Sequence, residues 1–229
     1  MVIPLYDINP RRAIRVPWVT YALILACVFI YIVFQSGLAI DANFASVIGF
    51  GMVPADFPGL DLSTSAGLPE PLTLLTYMFL HGGWVHLFGN MLFLWVFGDN
   101  VEDAMGSVRF LIFYLLTGVA AGVAFAISAP HSTTPLVGAS GAIAGIVAAY
   151  LLLYPRVKMW VLVLMRVPLK LSAMWVIGGW LAFQIVNALV NVNQETAWWA
   201  HVGGFVTGVV LTPFLRHPDV PLFGRDRVA

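Results

Sequence analysis

Long apolar runs alternate with short polar breaks along the chain, and the runs set the predicted elements. Trp18 to Leu38 is apolar throughout and uncharged. It is too long for the apolar core of a cleaved leader and predicts a first membrane helix. A second helix is predicted at about 84–103, where the apolar stretch from His81 runs into Gly98-Asp99-Asn100-Val101-Glu102-Asp103. The third runs from Arg109 to about Ser128, and the fourth from Ser140 to Tyr154, just before Pro155-Arg156. The fifth is predicted at about 172–191, with Glu195 marking a turn, and the sixth at about 197–215. The fourth is short. At 1.5 Å per residue it reaches roughly 23 Å, against about 30 Å of hydrocarbon, so Ser140 is expected inside the membrane boundary.

The connections differ in character. Residues 39–76 hold Asp41, Asp56, Asp61, Glu70 and four prolines, yet stay rich in Phe, Leu and Val, so this loop is expected in the interface. Residues 155–171 mix Arg156, Lys158, Arg166 and Lys170 with apolar residues and read as an interfacial connection. The expected organisation is a polar segment at 1–17, a membrane domain at 18–216 and a tail at 217–229. The expected fold class is all-α, a six-helix membrane bundle with a short, partly buried fourth helix.

Composition supports the class. The chain is 60% hydrophobic and 10% charged, where soluble domains carry about 25% charged residues. Net charge is zero, which gives no reason to expect a nucleic-acid partner. Cys27 is the one cysteine, so no internal disulfide is possible, and it reads as a small hydrophobe. Charge placement orients the bundle. When sides alternate from the N-terminus, all eleven Lys and Arg residues fall on one side. The positive-inside rule then predicts both termini in the cytoplasm, and the expected location is a bacterial inner membrane.

Polar side chains inside the apolar runs are costly and mark candidate chemistry. Ser140 stands between glycines in Gly138-Ala139-Ser140-Gly141. His201 precedes Arg216 by 15 residues, roughly 22 Å along a helix, close to the height of Ser140. His86 and Asn90, four apart, share one helix face at similar depth. Gly141 and Gly145, and Gly204 and Gly208, would let the fourth and sixth helices approach closely. Each polar group has a plain alternative use as an interhelical hydrogen bond. Together the residue types suit acyl transfer: a hydroxyl nucleophile, a neutral imidazole base, and donors for an oxyanion from the Ser140 N–H, His86 and Asn90. The fourth and sixth helices hold no Asp or Glu, so a Ser–His dyad is expected rather than a triad.

These motifs resemble the signature of the rhomboid intramembrane serine proteases: Gly138-Ala139-Ser140-Gly141, Ala200-His201-xx-Gly204 and His86-xxx-Asn90. His81-Gly82-Gly83-Trp84-Val85-His86 and the stretch Glu102 to Phe110 are also similar to the family, and the likeness spans roughly residues 70–216. The resemblance implies Ser140 as nucleophile, His201 as base, and an oxyanion hole of His86, Asn90 and the Ser140 amide. It implies membrane-spanning protein substrates reached within the lipid bilayer, with no cofactor and no metal. Two positions depart from the pattern. Leu72-Thr73 stands where many members carry Trp-Arg, and Ala144 where many carry an aromatic under the histidine. Two other readings stay open: an inactive rhomboid-like protein that binds membrane clients, and a channel or small-solute transporter with His201, His86 and Asn90 along its path. Oligomeric state is left open by the sequence.

Overall fold

The computed structural model describes residues 2–59, 68–163, 165–190 and 197–224. Asp61, Glu195, Arg225 and Arg227 lie outside the described residues. Helix α1 spans Trp18–Ile30 and widens into a π-helical turn at Tyr31–Gln35. It ends three residues before the predicted limit of the apolar run. Gln35 is drawn inward, where its Oε1 accepts the His81 N–H at 3.0 Å, and Gly37 then takes a left-handed φ of 75°.

The first loop is structured, with α2 at Asn43–Phe50 and α3 at Glu70–Thr76. Leu72-Thr73 falls in α3, and Glu70 takes over the anchoring there. Its carboxylate accepts the Val53 N–H at 3.1 Å and the Thr73 hydroxyl at 3.2 Å. Burial raises the Glu70 pKa above its ordinary value.

Helix α4, Trp84–Met105, and helix α5, Ser107–Ser128, meet at Gly106. Gly106 has φ 78°, a conformation that favours glycine. Helix α6 covers Ser140–Leu153, α7 covers Ala173–Val190 and α8 covers Trp198–Leu215. Four described segments are long and apolar enough to cross a bilayer: Trp18–Gln35, α5, α7 and α8.

The all-α expectation is corrected by a small sheet. Strands β1 (Val2–Asp7), β2 (Lys158–Val163) and β3 (Val167–Ser172) pair antiparallel in that order. Met159 and Val161 are fully buried, two residues apart on one face of β2. That alternation is only six residues long and lies among basic residues, so in sequence it reads as part of an interfacial connection. Pro4 sits on β1, an edge strand, where a missing N–H is tolerated.

Buried acids tie the N-terminal segment to the helices. The Glu102 carboxylate, with no solvent exposure, accepts the backbone N–H groups of Val19 (3.1 Å) and Thr20 (2.8 Å) and the hydroxyls of Thr20 (2.8 Å) and Ser107 (2.6 Å). It therefore caps the start of α1, where unpaired N–H groups and the helix dipole favour an anion. Asp103 accepts the N–H groups of Arg12, Ala13 and Ile14 at 2.7–2.9 Å. The tail joins the same end through His217 N–H to the Ala104 carbonyl (2.7 Å) and Phe223 N–H to the Leu152 carbonyl (2.6 Å).

The core forms where α5, α6 and α8 pack against one another. A Cβ at Gly208 would stand 2.5 Å from the Gly145 carbonyl oxygen, and one at Gly204 would strike the Gly141 carbonyl. Helices α6 and α8 thus touch backbone to backbone along the glycine stripes expected from the sequence. At Gly145 an added Cβ would also strike Thr117 of α5 at 2.5 Å, so α6 is gripped by both neighbours.

Candidate active site

Ser140 is the first residue of α6, His86 lies in the first turn of α4, and His201 in the first turn of α8. Three helix N-termini therefore converge at the end of the bundle opposite the sheet. Each carries N–H groups without carbonyl partners in its own helix, a combination that favours negative charge. The bridge between Met52 and Leu136 closes the first loop over the segment that leads into α6.

His201 Nε2 lies 2.8 Å from Ser140 Oγ. The close approach of α6 and α8 makes this distance available, because any side chain at Gly204 would push the two backbones apart. His86 and Asn90 gather around Gly138, two residues before Ser140. Gly138 has φ 122°, and a Cβ there would stand 2.6 Å from the His86 ring and 3.7 Å from Asn90 Nδ2. Glycine is therefore demanded twice at this position, by conformation and by space. Gly138 is held by its N–H to the Tyr77 carbonyl at 2.9 Å.

The Gly82 N–H donates to His86 Nδ1 at 3.4 Å, which leaves the proton of a neutral ring on Nε2, the nitrogen beside Gly138. Asn90 is buried and donates one amide hydrogen to the His86 carbonyl at 3.1 Å. A carboxamide has a second. His86 Nε2–H and the Asn90 amide are thus two donors at Gly138, two residues before Ser140. Beside them is a cavity of about 420 Å³ whose walls include Ser140, His86, His201, Phe125, Leu136 and Val137. Among the described residues no cluster of His, Cys, Asp or Glu has the make-up of a metal site.

Sequence reasoning missed the surroundings of His201. Gln184 of α7, buried at 4% exposure, places its Oε1 2.8 Å from His201 Nδ1. Trp180, one turn earlier on α7, lies with its ring centroid 6.1 Å from that of His201 at 38°. Trp198 meets His201 edge-on at 6.3 Å and 85°. Two indoles and an amide therefore surround the imidazole where Ala144 provides no aromatic. His81, part of a family-like motif in the sequence, carries no role of its own there. It is fully buried, with its ring 5.3 Å from His86 at 66°. Gln184 and Asn187 are the two amide side chains of α7, and that was the signal available.

Comparison with known proteins agrees with this architecture. The Rhomboid domain pattern matches residues 69–218. The chain is 33% identical over 152 residues to Rhomboid protease GluP of Bacillus subtilis, covering 66% of this chain and 27% of that protein. It is 31% identical over 142 residues to RHOMBOID-like protein 6, mitochondrial, of Arabidopsis thaliana, covering 62% and 43% respectively. Rhomboid-type serine protease 2 of Emericella nidulans is 29% identical over 176 residues, covering 75% and 32%. The match spans less than half the length of each of these relatives. With the domain pattern covering well over half of its residues, and with apolar helices that make it an integral membrane protein, the chain belongs to the rhomboid family.

Proposed function

We propose that this protein is an intramembrane serine endopeptidase that cuts membrane-spanning protein substrates through a Ser140–His201 dyad. The observation that carries the reading is the 2.8 Å contact between His201 Nε2 and Ser140 Oγ beside the His86 and Asn90 donors. In the reaction, Nε2 takes the Ser140 hydroxyl proton as Oγ adds to the substrate carbonyl carbon. The carbonyl π electrons move onto oxygen, and the oxyanion is met by the Ser140 N–H, His86 Nε2–H and Asn90. Collapse breaks the C–N bond, and the proton on His201 passes to the leaving amine. A water then adds to the acyl-enzyme with His201 again as base, the C–Oγ bond breaks to release the acid product, and His201 returns its proton to Ser140 Oγ.

The reading includes six membrane crossings. Helices α4 and α6 would complete the four long apolar segments. The three acids of α4 (Asp99, Glu102 and Asp103) are gathered in its last turns, at the sheet end. Between β1 and Ala104 the chain passes through α1 and α4. Between Gly106 and Leu152 it passes through α5 and α6, and from β3 to His217 through α7 and α8. Each pair leaves from and returns to the sheet end. We assign that end to the cytoplasm, since the described Lys and Arg residues gather there. The relatives come from a bacterium, a plant and a fungus, so this assignment rests on charge placement alone. The substrate would enter sideways from lipid and water from the outer side. Gly or Pro near the cut would favour cleavage by loosening the substrate helix.

The test is labelling by a fluorophosphonate serine probe together with cleavage of a reconstituted single-span substrate. The wild type should do both. Ser140→Ala should do neither at unchanged thermal stability. A folded wild type that neither labels nor cuts would favour the client-binding alternative.

A further inference from the structure

Trp198 of α8 packs edge-on against His201, but an edge contact alone does not set which ring nitrogen faces Ser140 or which one holds the proton. An imidazole can spin about its χ2 bond, and its proton can sit on either nitrogen. Only one combination makes it a base: Nε2 toward the hydroxyl and the proton on Nδ1. The group that addresses both comes from a third helix. Gln184 Oε1 stands 2.8 Å from His201 Nδ1, on the ring edge opposite Ser140.

Resting on the dyad reading above, we propose that Gln184 is a positioning residue that fixes the rotamer and tautomer of His201. With a carbonyl oxygen at Nδ1, the ring nitrogen there must donate. The neutral ring's single proton is thereby held on Nδ1, and Nε2 is left with a lone pair for the Ser140 proton. When His201 becomes an imidazolium, the same oxygen still accepts the Nδ1 hydrogen, so no bond has to be rebuilt during the reaction. An amide does this without ionisation. A carboxylate in the same place, deep in an apolar bundle, would add the cost of a buried charge.

Two further observations fit this role. Trp180 stands one turn before Gln184, and both reach the imidazole, so α7 presents a two-residue clamp to the ring. Apart from an apolar stripe of Ala173, Val176, Ile177 and Ala188, much of α7 is turned away from the core, with Trp175, Phe183, Val186 and Leu189 exposed on the protein surface. Gln184 is thus an uncommon inward polar group on a largely outward-facing helix, and its one described partner is the proposed base. The alignment of His201 therefore depends on α7 staying seated against α8.

Two measurements test the proposal. Histidine-selective ¹⁵N NMR of the solubilised full chain, with the His201 signals identified by their loss in His201→Asn, reads the tautomer without any change at Gln184. The wild type should show a protonated Nδ1 and an unprotonated Nε2. A proton on Nε2 would overturn the assignment. Steady-state cleavage then compares wild type, Ser140→Ala, Gln184→Met and Gln184→Glu in one lipid. Gln184→Met keeps the length and removes the acceptor. It should lower kcat about 10- to 100-fold, the range for losing an orienting partner of a functional histidine. KM should stay within about twofold, and the ring signals should show both tautomers. Gln184→Glu keeps an oxygen at Nδ1 and should recover most of kcat. Gln184→Met with wild-type kcat, or with a single unchanged tautomer, would sink the proposal. If the wild type and Ser140→Ala were equally inert, the protease reading would fail, while the tautomer measurement would still judge Gln184.

Discussion

Asn90 donates one amide hydrogen to the His86 carbonyl, and its second is free for the oxyanion of the proposed reaction, at Gly138. An interaction made only when charge develops acts on kcat more than on substrate binding. Asn90→Ala should therefore lower turnover about 10²- to 10³-fold. KM and melting temperature should stay near wild type, because the backbone bonds of α4 do not need this side chain. Steady-state cleavage beside a thermal melt checks both, and normal turnover in a folded variant would remove Asn90 from the site. Polarity at this scale was partly legible in the sequence. Ser140, His201, His86 and Asn90 stand out as polar groups at matched depths in apolar runs, and the fold gathers all four at one end. Gln184 did not stand out. A neutral amide is cheaper to bury than an ionisable group and marks function less sharply, and Gln184 has no histidine four residues away of the kind that singled out Asn90. Its partner could not be named either, since the facing of α7 toward α8 is a property of packing.

Between residues and the bundle lie the elements, and the helices were read to within a few residues because apolar runs of this length have one physical use. The sheet was not, since β1 ends at Asp7 and β2 begins only at Lys158, and neither strand is stable alone. What docks it is Asp7, the last residue of β1. Its Oδ2 accepts the Tyr150 hydroxyl and, at 3.1 Å, the Asn100 amide. Burial pushes the Asp7 pKa up to about 7, with the Tyr150 hydrogen bond opposing and the Asp99 carboxylate reinforcing. A carboxyl raised on folding holds its proton more tightly in the folded state. Its contribution to stability is fully present below its unfolded value of about 4 and is lost as pH rises through about 7. Asp7→Asn removes this titration and keeps an oxygen for Tyr150. Relative to wild type, the variant should melt higher at pH 8, and the gap should close toward pH 5. A gap that is constant over that range, or that widens at acid pH, would show that Asp7 does not titrate against the fold.

The whole molecule is polarised along its axis. At one end lie the sheet, Glu102 and Asp103 with their N–H ligands, and the start of the tail. At the other lie the cavity, the first loop and the segment leading into α6. The proposed chemistry needs this polarity, because an oxyanion belongs at helix N-termini, and α4, α6 and α8 all begin at the cavity end. A chain with an even number of crossings between its sheet-end contacts keeps all of those contacts on one side of the membrane. The basic residues then decide which side, since a cluster of Lys and Arg stays cytoplasmic. Two exposed positions separate the possibilities. Thr133 lies in the loop before α6, and Arg166 in the turn between β2 and β3. In a Cys27→Ala background, Thr133→Cys should react with a membrane-impermeant maleimide added to intact cells. Arg166→Cys should react only after the membrane is opened. The reverse pattern would invert the orientation and put the proposed catalytic cavity on the cytoplasmic side. Equal labelling of both from outside would mean that α6 and the sheet do not lie across the membrane from each other, and the six-crossing arrangement would fall with it.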